Sequence, residues 1–193
     1  MDNKIKVMLS NHHVHLKPED VETLFGTGHE IKIRKMLSPV EFAAEETVTL
    51  IGPRGKIEGV RVLGPLRHYT QAELLKADAI RIGVNAPLKN SGELEEAASI
   101  RILGPVGELN IKGAIIAKRH IHLKPDSAED LGIKDRQYVS VKAAGERGLI
   151  FQQVLVRVSC NSVDVMHIDL EEGNAANIEN NDMLEIFIED QNL

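Results

Sequence analysis

The chain of 193 residues has no tryptophan, only 3% aromatic residues, and acidic groups in sufficient excess to leave a net charge of −6. Nucleic-acid binders ordinarily present a basic face and aromatic platforms on which bases stack, so both shortages count against that class. Long apolar runs are also missing: nothing approaches the roughly 20 consecutive apolar residues of a membrane span, and no membrane partner is expected. A single cysteine, Cys160, rules out an intrachain disulfide framework and fits a reducing cytoplasm. Taken alone, it reads as a small buried hydrophobe rather than a nucleophile or thiolate ligand. The chain lacks a P-loop, a dinucleotide-binding glycine signature, a Gly-x-Ser-x-Gly elbow and a His-Glu-x-x-His pair. Because a strand-like pattern begins at once, no signal peptide is expected.

What the chain does have is a motif stated twice. Asn11-His12-His13-Val14-His15-Leu16-Lys17-Pro18 returns as Arg119-His120-Ile121-His122-Leu123-Lys124-Pro125. Two imidazoles separated by one apolar residue lie on the same face of an extended strand. Read alone, two such pairs suggest a nest of four neutral imidazoles for zinc or a similar borderline metal. Packing would be served better by Val or Leu at these places, so repetition favours metal binding over a structural role. A further histidine, His167, stands in Met166-His167-Ile168-Asp169, whereas His12, His29 and His68 lack this patterning and read as solvated or supporting residues.

Along the chain, short alternating segments with Gly/Pro turns predict strands and hairpins. Each Lys-Pro after a His-x-His opens a short helix ending at Gly26 or Gly132. Residues 31–34 and 79–84 read as strands, and 38–46 as a connector or one helical turn. Residues 70–78 read as a helix with Thr70 at the N-cap and Glu73 completing a capping box. The second half replays the first: at an offset of about 96, Arg61-Val62 lies against Arg157-Val158 and Glu73 against Asp169. Either carboxylate could complete a coordination sphere or orient an imidazole. Arg67, after a Gly-Pro break, reads as an anion clamp, its planar fork matching phosphate or carboxylate oxygens. Ser91-Gly92, beside Lys89 and Asn90, offers a hydroxyl and backbone N–H groups to the same anion. The expected fold class is mainly β, in two similar units with short helices, as closed barrels or sandwiches rather than an open parallel sheet.

Five separated motifs then agree: Ser-Asn-x-His-Val-His-Leu, Phe-Ala-Ala-Glu-Glu-Thr-Val-Thr-Leu, Val-Arg-Val-Leu-Gly-Pro-Leu-Arg, Arg-His-Ile-His-Leu and Met-His-Ile-Asp. Together, from about Val7 to Ala176, they closely resemble the PduL-type phosphotransacylases, the phosphate propanoyltransferases. The resemblance implies reversible transfer of a short acyl group, propanoyl or acetyl, from acyl-CoA to phosphate, giving acyl phosphate and CoA. It implies two zinc ions per chain, one held by His13, His15 and Glu73 and contacting the CoA sulfur, the other held by His120, His122 and His167. Arg67 would grip phosphate with Ser91 nearby, no protein nucleophile being needed. It further implies two intertwined β-barrels with the site between them, one from 11–117 and the other from 1–10 plus 118–193, and a homo-oligomer such as a dimer. His12 stands where the family has arginine, a position Arg119 keeps in the second motif. Members packaged in bacterial microcompartments often carry an N-terminal extension, so a free cytoplasmic enzyme is expected over one in a microcompartment lumen. The rivals are a metal-dependent hydrolase, whose usual (β/α)8 barrel needs about 250 residues, and a non-enzymatic module that metal staples together.

Overall fold

Alternation of apolar and polar residues carries most of the chain into strands, each half-buried on one face. The computed structural model describes residues 3–188. In order, its elements are β1 (Lys4–Ser10), β2 (His13–His15), α1 (Pro18–Phe25), β3 (Ile33–Met36), β4 (Phe42–Gly52), β5 (Gly55–Gly64) and β6 (Gln71–Glu73). There follow α2 (Lys76–Ile82), β7 (Leu88–Lys89), β8 (Ala98–Leu103), β9 (Glu108–Ala117), β10 (His120–Leu123) and α3 (Pro125–Asp130). The chain continues through β11 (Tyr138–Ala143), β12 (Leu149–Val158), β13 (Val165–Asp169), α4 (Leu170–Ala176) and β14 (Met183–Phe187).

These elements fall into two units, a central one of Asn11–Ala117 and a split one of Met1–Ser10 with Lys118–Leu193. In the split unit, six strands close a barrel in the order β1-β13-β10-β12-β11-β14. In the central unit, β4, β5, β2, β6, β9 and β8 pair in turn, and β8 returns to β4, closing a second six-stranded ring. The protein is thus mainly β, with two barrels and short helices.

Equivalent strands make equivalent contacts. His13 faces Glu73 across an antiparallel ladder and Arg61 across a parallel one, while His120 faces His167 and Leu155 in the same two ways. Glu73 therefore corresponds to His167, and Arg61 to Leu155. The expected alignment, with Glu73 against Asp169 and Arg61 against Arg157, is out of step by two residues, a shift that keeps side chains on the same face. β1 runs parallel to β13 with Met8 beside His167, as β9 runs parallel to β6 with Ile115 beside Glu73. Each repeat therefore gives its first strand to the ring that contains the other repeat's strands.

Several local expectations need correction. The predicted 70–78 helix is instead strand β6 followed by α2 from Lys76, which also replaces the strand expected at 79–84. Gln71–Glu73 is sandwiched between β2 and β9 and buried throughout, so ladder bonds and burial override the helical capping pattern. Thr70 caps no such helix: its hydroxyl donates to Asp20 and accepts from the Lys17 N–H. The capping box occurs instead at α4, where Asp169 accepts from the Glu172 N–H and Glu172 accepts from that of Asp169. Residues 42–46, expected in a connector or helical turn, form the start of β4, and Cys160, expected inside, is exposed. Among the described residues, no helix is long and apolar enough to cross a membrane.

Candidate functional site

On the ladder between β2 and β6, His13 opposes Glu73, Val14 opposes Ala72 and His15 opposes Gln71. Val14 and Ala72 are fully buried in the barrel core, so period-two alternation gathers His13, His15, Gln71 and Glu73 on the other face. All four are nevertheless buried. The two histidine Nε2 atoms lie 3.2 Å apart. Glu73 brings Oε2 to 3.4 Å from Nε2 of His13 and Oε1 to 3.7 Å from that of His15. His13 Nδ1 meets the Asn11 carbonyl at 2.8 Å. A carbonyl only accepts, so Nδ1 carries the proton and Nε2 of the neutral ring turns its lone pair toward the cluster.

The split unit repeats this frame. His120 opposes His167, Ile121 opposes Met166 and His122 opposes Val165, with Ile121 and Met166 in the core. The rings of His120, His122 and His167 are mutual neighbours, their centroids 4.9, 5.3 and 5.5 Å apart. His120 Nδ1 meets the Lys118 carbonyl at 3.0 Å, as His13 meets that of Asn11. Loss of hydration holds the pKa of His15 well below the ordinary histidine value, helped by His13 and Arg67. The same cause, with Arg157, His167 and His122, lowers that of His120. Both rings are neutral at physiological pH, the form in which imidazole binds a metal.

Arg67 belongs to the central cluster. Its backbone N–H donates to the Leu16 carbonyl, fixing it beside β2, and Nη1 donates to the Tyr69 hydroxyl (2.9 Å) and Ser91 Oγ (3.1 Å). Among the described residues, Nη2 and Nε make no hydrogen bond; the nearest carboxylate, of half-exposed Glu41, stands 3.8 Å from Nη2. That edge of the guanidinium is the one suited to bidentate capture of an oxyanion. Ser91 Oγ, in turn, donates to Glu73 Oε1 at 2.7 Å. The other donors expected to form an anion nest are engaged elsewhere: the Gly92 N–H bonds Gln71, and Lys89 pairs with Glu96.

The sequence-predicted residues thus come together in two groups: His13, His15, Glu73, Arg67 and Ser91 in the central unit, and His120, His122 and His167 in the split unit. Asp169 stands apart from the ligand role considered for it and caps α4, burial raising its pKa. His12 pairs with Asp78, His29 with Glu46, and exposed His68 packs edge-on against Tyr69. Sequence reading missed Gln71 and Tyr69. The signal for Gln71 was available, since Gln71-Ala72-Glu73 has the same period-two form as His13-Val14-His15.

Two imidazole nitrogens and a carboxylate, with ligand atoms all within 4.8 Å of one another and buried, fit a divalent ion such as zinc. The two Nε2 atoms and the Glu73 carboxylate all face the same point, so a cation placed there would meet three ligand atoms at once. The three-imidazole group in the split unit offers a donor set of the same kind.

Residues 6–179 match the family model described as phosphate propanoyltransferase. The chain is 46% identical over 185 residues to a phosphate propanoyltransferase of Rhodopseudomonas palustris, an alignment covering 95% of this chain and 82% of that one. It is 49% identical to one from Thermotoga maritima, covering 94% of this chain and 88% of the relative. For one from Limosilactobacillus reuteri the identity is 40%, over 98% and 91%. The chain belongs to the phosphate propanoyltransferase family.

Proposed function

We propose that this phosphotransacylase transfers a short acyl group, propanoyl or acetyl, between the sulfur of CoA and inorganic phosphate, with two metal ions and no protein nucleophile. One ion is assigned to His13, His15 and Glu73, the other to His120, His122 and His167. The observation that carries this reading is the half-engaged Arg67, anchored to a carboxylate of a metal-ligand set through Ser91.

Arg67 presents Nε and Nη2 to phosphate while Tyr69 and Ser91 hold Nη1, so the clamp is set before the anion arrives. A bound zinc would supply Lewis acidity, favouring the thiolate over the thiol and lowering the charge repulsion around phosphate. Asn11 and Lys118 fix the ring orientations of His13 and His120 through their carbonyls, keeping the metal-facing nitrogens unprotonated. Phosphate oxygen attacks the thioester carbonyl, the carbon–sulfur bond breaks, and the electron pair leaves with CoA. A purely structural metal staple has no use for a preset anion clamp, and the described residues form no (β/α)8 barrel for a hydrolase of that class.

The test is metal analysis joined to an assay for thiol released from short acyl-CoA. Arg67→Ala should lower phosphate-dependent turnover by about 100- to 1,000-fold while metal content stays at the unmodified ratio. Loss of metal in that variant would make Arg67 structural. A metal-loaded chain releasing no thiol with any short acyl-CoA and phosphate would sink the transferase reading.

A further inference from the structure

Gln71 is the fully buried polar side chain next to the cluster, and every polar atom of its amide is used. Its nitrogen donates to Glu73 Oε1 at 2.6 Å and to Ser91 Oγ at 2.9 Å. Its oxygen accepts from the Gly92 N–H at 2.8 Å. That last contact fixes the amide's orientation: a backbone N–H can only donate, so the oxygen faces Gly92 and the NH2 faces Glu73. Gly92 reaches this position with φ of 96°, in the region that favours glycine.

The consequence falls on Glu73. Oε1 receives two hydrogen bonds, from Gln71 and from Ser91 (2.7 Å), one for each of its two lone pairs. Ser91 is likewise saturated, donating its hydrogen to Glu73 and accepting from Gln71 and Arg67. Oε2, 3.4 Å from His13 Nε2, is the oxygen left with a lone pair in the cluster. The split unit supplies the control within the same molecule. There the ladder position of Glu73 carries His167, that of Gln71 carries Val165, and no amide is placed where there is no carboxylate to orient.

We infer that Gln71 is a positioning residue that commits Glu73 to bind the metal through Oε2 alone and couples that carboxylate, through Ser91, to the orientation of Arg67. The inference rests on the assignment of a metal to His13, His15 and Glu73. It adds that the ligand's denticity is set by a neighbouring amide, and that phosphate capture and metal ligation share one hydrogen-bonded frame.

Cobalt(II) tests this without reference to turnover, because its visible absorption is intense in four-coordinate sites and weakens as coordination number rises. The substitutions are Gln71→Met, close in volume and without a donor, and Ser91→Ala, which removes the other bond to Oε1 with little change in packing. A background of His120→Ala confines the signal to the central site. Freed Oε1 should join the coordination sphere, so the cobalt bands weaken in both variants. Metal affinity should shift within about 10- to 100-fold, and in the chain that keeps His120 the phosphate KM should rise more in Gln71→Met than the acyl-CoA KM. Should Gln71→Met fail to fold, Ser91→Ala carries the same spectral test. Unchanged cobalt bands in a folded variant would overturn the positioning role while leaving the metal assignment intact. An unmodified central site that takes up no cobalt would overturn both.

Discussion

The two barrels share a skeleton of polar contacts but have exchanged the groups that make them. In the central unit the Thr70 hydroxyl donates to Asp20 and accepts from the Lys17 N–H; in the split unit Asp164 accepts from both the Ser127 hydroxyl and the Lys124 N–H. Hydroxyl and carboxylate have traded places across the same bond. His12 with Asp78 corresponds likewise to Arg119 with Glu172. Counting three residues back from Thr70 and Asp164, Arg67 has Asn161 as its counterpart. Carbonyls of Asn11 and Lys118 hold the first histidine of each pair, but the third member of the cluster is a carboxylate in one unit and an imidazole in the other. The barrel and its orienting carbonyls are thus independent of the donor set they carry. Under the proposed assignment, a divalent ion on two neutral imidazoles and a carboxylate would keep one net positive charge and on three imidazoles two, so the same frame would give two sites of different electrophilicity.

The sharpest way to break this comparison is to make the two sites alike. Glu73→His gives the central unit the split unit's donor set, and His167→Glu does the reverse. If the difference serves catalysis, Glu73→His should retain metal but lose more than about 100-fold in phosphate-dependent thiol release, exceeding the usual effect of an outer partner. A variant with three histidines at the central site and near-normal turnover would show the asymmetry to be incidental.

A smaller effect concerns the supporting pairs. Arg119 donates to the Gln152 carbonyl at 3.0 and 2.7 Å and to Glu172 at 2.6 Å, and packs over Phe151, tying β12 to α4. His12 reaches one partner, Asp78, at 2.6 Å, and Arg81 also pairs with that carboxylate. With Arg119 about 30% exposed, its charged hydrogen bonds are discounted for solvent, and Arg119→Ala should cost roughly 1–2 kcal/mol. His12→Ala should cost less than about 1 kcal/mol. Denaturant unfolding measures both, and equal losses would mean that histidine fully replaces arginine in this pair.

How much of this was legible in the sequence depended on whether a signal was local or carried by pairing. The His-x-His strands, the Lys-Pro helix starts and the hairpins announce themselves within a few residues. Residues 70–73 did not: Thr-Gln-Ala-Glu has the local form of a capping box, and only burial between β2 and β9 makes it a strand. That error hid Gln71, since on a helix Gln71 and Glu73 would point different ways, whereas on a strand they share a face. It also concealed the register, because a two-residue slip preserves apolar alternation and leaves Arg-Val aligned with Arg-Val. Cys160 misled for a different reason: a lone cysteine's usual burial is a statement about averages, and this one follows β12 in an exposed turn.

The smallest expected difference between the units is in their response to acid when stripped of metal. Burial holds the pKa of both His15 and His120 below the ordinary histidine value, so below about pH 6.5 the unfolded chain takes up protons that the folded chain does not. Stability of the chelator-treated chain should therefore fall as pH drops through that value and level off above it. The two histidines should not contribute equally. A proton arriving on His15 is opposed by His13 and Arg67 but has the Glu73 carboxylate 3.7 Å away, whereas one arriving on His120 is opposed by Arg157, His167 and His122 together. His120→Asn should accordingly flatten the acid limb of a stability-against-pH curve more than His15→Asn. Equal flattening would show that the Glu73 carboxylate, engaged by Gln71 and Ser91, has no charge to spare for the ring beside it, and the contrast between the two sites would then reside in metal ligation alone.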